Sequence, residues 1–263
     1  MDRALRIATS TTRMLPTVLI LGGQKCGTSS LHHHLAEHPD VGEPDRKEVH
    51  YFDLNASRSP LWYRSHFPLR GRYAHTLDSS PYYLFHPAVP ARARALLPDT
   101  KLIVLLRDPV RRSYSHYQHS CARGHETLDF QSAIEQEEHR LEGADAQLLS
   151  SPAAQSFSHQ HHSYVSRGLY APQLARWYDC FPREQILVLR SEDLFKDPPS
   201  VLRQVQEWLG LSVRLPSSLP PRNVRTYPAL DDGLASTLAG RFAADRLEVE
   251  QMTGMSFDWR WAQ

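Results

Sequence analysis

Cysteine is scarce in this chain of 263 residues, which carries only Cys26, Cys121 and Cys180. Three thiols cannot make a framework of paired disulfides, and the odd number points to a reducing compartment. Long apolar runs are missing as well. No stretch approaches the ~18 consecutive apolar residues of a membrane-spanning helix. The opening residues 1–15 lack the apolar core of a secretory leader. A cytoplasmic protein with a flexible first 15 residues is the expectation. Net charge is close to absent at +1, which removes any global electrostatic case for nucleic acid or an anionic membrane as partner. A local basic site for a small anion stays open. No repeat and no linker-like stretch interrupts the chain, so one domain over 1–263 is expected. Glycine is sparse too, at 12 residues, yet Gly22, Gly23 and Gly27 fall within six positions of one another.

That clustering marks the informative stretch, LPTVLILGGQKCGTSS over Leu15 to Ser30. Val18 to Leu21 is a purely apolar run between Pro16 and Gly22, which predicts a strand buried on both faces of a parallel sheet. Thr28, Ser29 and Ser30 then open a helix of apolar spacing (Leu31, Leu35) that stops before Pro39. Strand, glycine loop and helix N-terminus together form a phosphate cradle, because backbone N–H groups and the helix dipole both favour an anion. The nucleotide P-loop reads G-x-x-x-x-G-K-[ST]. Here Gly22 and Gly27 keep the separation, but Thr28 stands in the lysine position and the lysine sits inside the loop at Lys25. A plain βα turn with a solvated lysine is the rival reading.

Further along, Ser59 to Phe67 reads as a short aromatic helix, Tyr73 to Leu77 as a weak strand, Asp78 to Pro81 as a turn, and Pro90 to Leu97 as a helix. Lys101 to Leu106 is a second buried strand. It runs into Arg107-Asp108-Pro109, where Asp108 suits an N-cap and Pro109 the first helical turn of a helix reaching Arg123. Phe130 to Leu141 looks like one acidic amphipathic helix. Residues 144–166 are polar and aperiodic, the pattern of a functional lid, a binding loop or a disordered segment within the insertion 125–167. A helix over Tyr170 to Phe181, a third buried strand over Gln185 to Arg190, a helix over Pro198 to Leu209, and a last helix over Asp232 to Gly254 complete the pattern. Repeated strand–turn–helix units imply a parallel sheet flanked by helices.

Ligands of such folds bind at the C-terminal strand ends. Arg107 ends one such strand and Ser115 follows on the next helix, so the two are candidates for a second anion beside the loop. His32-His33-His34 point in three directions on a helix and cannot share one metal. His159, His161 and His162 lack acidic or thiol partners at ligand spacing and read as a polar loop.

Four motifs occur in order: QKCGTSSL, KEVHYFD, LIVLLRDPVRRSYSHYQH and SRGLYAPQLARWYDCFPREQILVLRSEDL. Together they resemble the sulfotransferases that use 3′-phosphoadenosine 5′-phosphosulfate (PAPS). The nearest branch is the one holding the heparan sulfate N-deacetylase/N-sulfotransferases and 3-O-sulfotransferases. The likeness spans about Pro16 to Trp208. It implies an α/β fold of three layers with a P-loop-like central parallel sheet. It implies a donor loop of Lys25, Cys26, Gly27, Thr28, Ser29 and Ser30 around the 5′-phosphosulfate, and a grip on the 3′-phosphate by Arg107 and Ser115. Arg225 and Tyr227 resemble the late basic loop that closes over the donor. Glu48 falls on the family's catalytic carboxylate, with His50 and Asp53 beside it and His119 in the continuation of the Arg–Ser helix.

The implied chemistry is in-line transfer of a sulfuryl group from PAPS to a hydroxyl, or an amine, of a carbohydrate, glycolipid or small metabolite. PAP (3′,5′-bisphosphate) is the implied product. A base must take the hydroxyl proton, which suits a carboxylate whose pKa burial has raised, and Lys25 would meet the charge developing on the leaving phosphate. Sulfuryl groups carry less negative charge than phosphoryl groups, so no metal is expected. Two readings compete: a P-loop kinase using ATP and Mg²⁺, and a non-catalytic nucleotide-binding relative that keeps Lys25, Arg107 and Ser115 without needing Glu48.

Overall fold

The computed structural model describes residues 3–216, 218–220 and 227–259. Its centre is a five-stranded sheet: β1 Val18–Gly22, β2 Val41–Gly42, β3 His75–Asp78, β4 Lys101–Leu106 and β5 Ile186–Arg190. The spatial order is β2-β3-β1-β4-β5 and every pairing is parallel. In register, Val18 faces Lys101 and Leu102 faces Ile186, so β1, β4 and β5 form one continuous ladder.

The period of two along these strands builds two cores. Leu19, Leu21, Leu102, Val104 and Leu106 point to one face, where they meet Tyr63, Tyr83, Leu174 and Trp177. Val18, Ile20, Ile103 and Leu105 point to the other, against Leu31, Leu35, Leu202 and Val205. Helices Val89–Leu96 and Ala171–Cys180 therefore cover one side, and Thr28–Ala36 and Pro198–Leu209 the other. Full burial of each such aliphatic side chain contributes about 1.5–3 kcal/mol, which is why these strands read as unbroken apolar runs. This is the three-layer α/β arrangement that the sequence predicts.

Helix boundaries follow the local signals. Asp108 accepts hydrogen bonds from the N–H groups of Val110 and Arg111 and caps helix Pro109–Ala122. Gly210 and Gly254 end helices Pro198–Leu209 and Asp232–Thr253 in the left-handed region.

Three expectations need correction. Residues 3–15 do not fray: helix Arg3–Ala8 is anchored by Arg6, which donates to the carbonyls of Ser65, His66 and Phe67. Arg13 donates to the carbonyl of Phe67 while almost wholly buried. The single helix over 130–141 is two, Phe130–Glu135 and Glu137–Leu141. The break lets the buried Glu137 carboxylate accept from the N–H groups of Val165 and Ser166. The aperiodic stretch 144–166 contains helices Ala144–Ser150 and Phe157–His161. The second is fixed by Ser156 as N-cap and by Tyr82, whose hydroxyl lies 2.7 Å from Nδ1 of His159.

Candidate active site

The glycine loop leaves β1 at its C-terminal end. Gly27 has φ of +87°, a conformation that a side chain would strain. At Gly23 a Cβ would lie 2.9 Å from Sγ of Cys26 and 3.0 Å from Cδ of Arg112, so the backbone turns there only without one. Neighbours hold the loop in place. Arg107 donates from Nη1 to the carbonyl of Lys25 at 2.9 Å, and the hydroxyl of Ser191 donates to the carbonyl of Cys26 at 2.7 Å. Tyr170 in turn donates to the carbonyl of Arg107. Burial pushes the Cys26 thiol up to about 11, so that side chain stays protonated and Cys26 serves the loop through its backbone.

Helix Thr28–Ala36 starts without a side-chain cap on its Gly27, whereas Asp108 caps its neighbour. Its first N–H groups thus face outward with the positive end of the dipole. Beneath the loop lies Arg112, fully buried, with Nε and Nη1 lacking a hydrogen-bond partner among the described residues. An uncapped helix start, a backbone turn with no room for a side chain, and a buried arginine with N–H groups to spare suit an anionic nucleotide. Lys25, Thr28, Ser29 and Ser30 would hold its 5′ end.

Segment 47–53 forms the opposite wall. Lys47 Nζ donates to Oγ of Ser29 at 2.6 Å and to Oε1 of Glu48 at 2.7 Å. Glu48 Oε2 lies 3.7 Å from Nε2 of His50, and Nδ1 of His50 lies 2.7 Å from Oδ2 of the buried Asp53. Lys47, Glu48, His50 and Asp53 thus form one chain of alternating charge running from the helix start. Burial alone would push the Glu48 carboxyl up, but His50 and Lys47 outweigh it and hold the group down at about 2. This corrects the expectation of a carboxyl raised by burial: the exposed edge of Glu48 and two cationic neighbours win. His50 is its complement. Burial would lower it, yet Asp53 and Glu48 raise it to about 10, so at neutral pH the pair is imidazolium and carboxylate.

The backbone here is unusual. Lys25, Glu48 and His50 are the non-glycine residues with positive φ among those described, at +79°, +60° and +53°. Such strain persists where surroundings over-determine it, and it gathers at functional sites. The surroundings are identifiable. The N–H of His50 donates to Ser80, Ser80 donates to Asp78, and the buried Asp78 also accepts from the hydroxyls of Tyr63 and Tyr83.

The other candidates are placed as follows. Arg107 leans on the loop and over the ring of Phe195. Ser115 is buried on helix Pro109–Ala122, roughly 9 Å along its axis from Pro109. His119 lies in the last turn of that helix, roughly 15 Å from Pro109, and its charge bears on His116 within a cluster that includes Arg167 and His161. The hydrogen-bonded chain from Ser29 to Asp53 does not run through it. Tyr227 is half-buried, and Arg225 lies outside the described residues.

Sequence reasoning missed three contributors. Lys47 was legible only as a neighbour of Glu48. Arg112 is one of three arginines near a helix start, and nothing in the pattern singles it out. Arg167 is buried between the rings of Tyr82 and Phe85 and donates to Oε1 of Gln24 in the glycine loop. Its partner is 143 residues away in sequence, so no local signal reveals it.

A parallel sheet that delivers an uncapped helix start, a glycine loop and an opposed carboxylate–imidazolium pair to one edge defines an α/β protein of the P-loop-like class. Within that class, the family model described as the sulfotransferase domain matches residues 15–225, and the chain belongs to the sulfotransferase family. It is similar to heparan sulfate glucosamine 3-O-sulfotransferase 3B1 of Homo sapiens, at 29% identity over 95% of this chain and 66% of that one. It is 34% identical to the 3B1 protein of Mus musculus over 94% of this chain and 65% of that one. The chain therefore spans just under two thirds of the length of these curated relatives. A solved sulfotransferase from Alicyclobacillus acidocaldarius superposes with a TM-score of 0.76 at 29% identity, covering 94% of this chain and 99% of that one. The branch resemblance carried by the four motifs agrees with these relatives. No described helix is long and apolar enough to cross a membrane.

Proposed function

We propose that this chain transfers a sulfuryl group from PAPS to a hydroxyl of a saccharide acceptor, with Glu48 as the base. The observation that carries this reading is the continuous chain from the helix start at Ser29 through Lys47 to Glu48 and His50. It sets a proton acceptor directly beside an anion cradle. PAPS supplies a sulfuryl group on a good leaving phosphate. Lys25, Thr28 and Ser29 bind the 5′ end, and Arg107 with Ser115 binds the 3′-phosphate. Tyr227 and Arg225 are assigned to donor binding through the family likeness. Glu48 accepts the acceptor's proton as its oxygen attacks, and His50, held charged by Asp53, orients the carboxylate. The charged end of the helix and Lys25 stabilise the charge that grows on the departing phosphate.

The saccharide class is supported by the names of the relatives, which give heparan sulfate glucosamine as their substrate. Acceptor contacts are assigned to the wall formed by 47–55 and 151–161. Gln155 donates to the carbonyl of Leu54 there, and Arg92 ties the carbonyls of Phe52 and Ser151 together. A reducing, cytoplasmic setting suits three free thiols. The test is a screen of hydroxyl and amine acceptors with labelled PAPS. Saccharide sulfation that ATP with Mg²⁺ cannot replace supports the reading; phosphorylation from ATP with PAPS inert removes it in favour of a kinase.

A further inference from the structure

We infer that Lys47 is a catalytic residue that transfers its contact from Glu48 to the sulfuryl group when the donor binds. The inference rests on the sulfuryl-transfer reading above. Its ground is position. The donor's 5′ end sits at the helix start by Ser29, and the acceptor oxygen must sit by the base, Glu48. The sulfuryl group has to cross between these two points. Lys47 Nζ spans that gap now, 2.6 Å from Ser29 Oγ and 2.7 Å from Glu48 Oε1. Lys47 is thus hydrogen-bonded to both walls at once.

The consequence is a coupling of donor binding to activation of the base. While Lys47 rests on Glu48, the carboxylate is doubly paired, by Lys47 and His50, and is a poor proton acceptor. The non-bridging oxygens of a sulfuryl group would compete for the same ammonium. Once Lys47 turns to them, Glu48 keeps only His50 and becomes more basic when a proton must be taken. In the step itself the acceptor oxygen forms a bond to sulfur and its proton passes to Glu48. The bond from sulfur to the bridging oxygen breaks, and its electron pair stays on the 5′-phosphate of PAP. The charged groups that face Glu48 are Lys47 and His50 from its own segment, with Asp53 behind His50, and His32 from helix Thr28–Ala36. His32 is held low, to about 4, by burial and by Lys47, so it is neutral at working pH and leaves Lys47 as the mobile cation.

The experiment uses Lys47→Met and Lys47→Arg in the whole chain, with three readouts. Calorimetry with PAP and with PAPS, without acceptor, comes first. PAP lacks the sulfuryl group, so Lys47→Met should bind PAP within about threefold of wild type and lose roughly tenfold for PAPS. Turnover should fall roughly 100-fold in Lys47→Met and recover in part in Lys47→Arg. The acid limb of kcat/KM for PAPS, which reports the donor-free enzyme, should move to higher pH in Lys47→Met, because Glu48 has lost a cation that holds it low. Equal losses for PAP and PAPS, or an unmoved acid limb, overturn the inference, as does turnover within about threefold of wild type. If wild type itself moves no sulfuryl group, the functional reading has failed. If wild type is active, Glu48→Gln is dead and Lys47→Met is fully active, only the role of Lys47 has failed.

Discussion

The two walls of the site solve opposite problems. The glycine loop over residues 22–27 ends in a helix start with no side-chain cap, above a buried arginine with unused N–H groups. Its helix start is left open by side chains. Segment 47–53 is saturated, each charge touching one of the opposite sign. Both walls carry non-glycine residues in the left-handed region, and both are clamped from outside, by Arg107 and Ser191 on one side and by Ser80 and Asp78 on the other. The difference teaches a division of labour. On the reading proposed above, the wall assigned to the anion leaves its helix start uncapped and fixes its backbone. The wall assigned to the proton keeps its charges paired.

Substitutions can break either wall separately. The largest effect belongs to the saturated wall. Glu48→Gln should lower turnover on the order of 1000-fold while leaving PAP affinity within about threefold. Unchanged turnover would remove Glu48 as the base. Arg107→Ala should act on the receptive wall, weakening PAP roughly 100-fold by calorimetry, and far more than it weakens ATP, which lacks a 3′-phosphate. Equal losses for both ligands would mean that Arg107 serves only as the clamp on Lys25. Gly27→Ala should cost about 1–2 kcal/mol of stability in urea unfolding, since the φ of +87° is kept and the new Cβ would lie 2.9 Å from Cε1 of Phe195.

The smallest effect concerns pH. Glu48 is held below its ordinary 4.5, so its contribution to stability is full above that value and is lost as pH falls through about 2. His50 is held above its ordinary 6.5, so its contribution is full below that value and is lost as pH rises through about 10. The stability difference between wild type and His50→Gln should therefore be greatest between pH 4.5 and 6.5 and shrink towards pH 10. A difference that is flat up to pH 10 would show that the imidazolium is not what the wall depends on.

Much of the scaffold was legible because its signals are local. Val18 to Leu21, Lys101 to Leu106 and the run before Arg190 are apolar enough to demand a sheet covered on both faces. Asp108-Pro109 and Gly210 mark helix ends through chemistry confined to one turn. The motifs then singled out Lys25, Glu48, His50 and Arg107 as candidates through a family likeness. What stayed hidden depends on distant partners. The two-residue strand Val41–Gly42 exists because it pairs with His75 and Thr76. Helix Phe157–His161 exists because Tyr82 and Phe85 receive His159. The sense of the Glu48 shift was misjudged because burial was visible as a general expectation, whereas the geometry of Lys47 and His50 around the carboxylate was not. Asp78-Ser79-Ser80 read as a plain turn, although Asp78 and Ser80 brace the segment that carries Glu48 and His50 and Ser79 meets His32.

Arg167 carries one last consequence. A single guanidinium, stacked on Tyr82 and Phe85, binds Gln24 in the glycine loop and the carbonyls of His159 and Gln160. The loop and the helix beyond residue 156 therefore cannot loosen independently, since either movement strips the same buried cation of partners. Amide hydrogens of residues 24–27 and 159–168 should exchange with solvent at a shared opening free energy, as one cooperative unit. A ligand that quietens the loop would then slow exchange across the far segment too, without touching it.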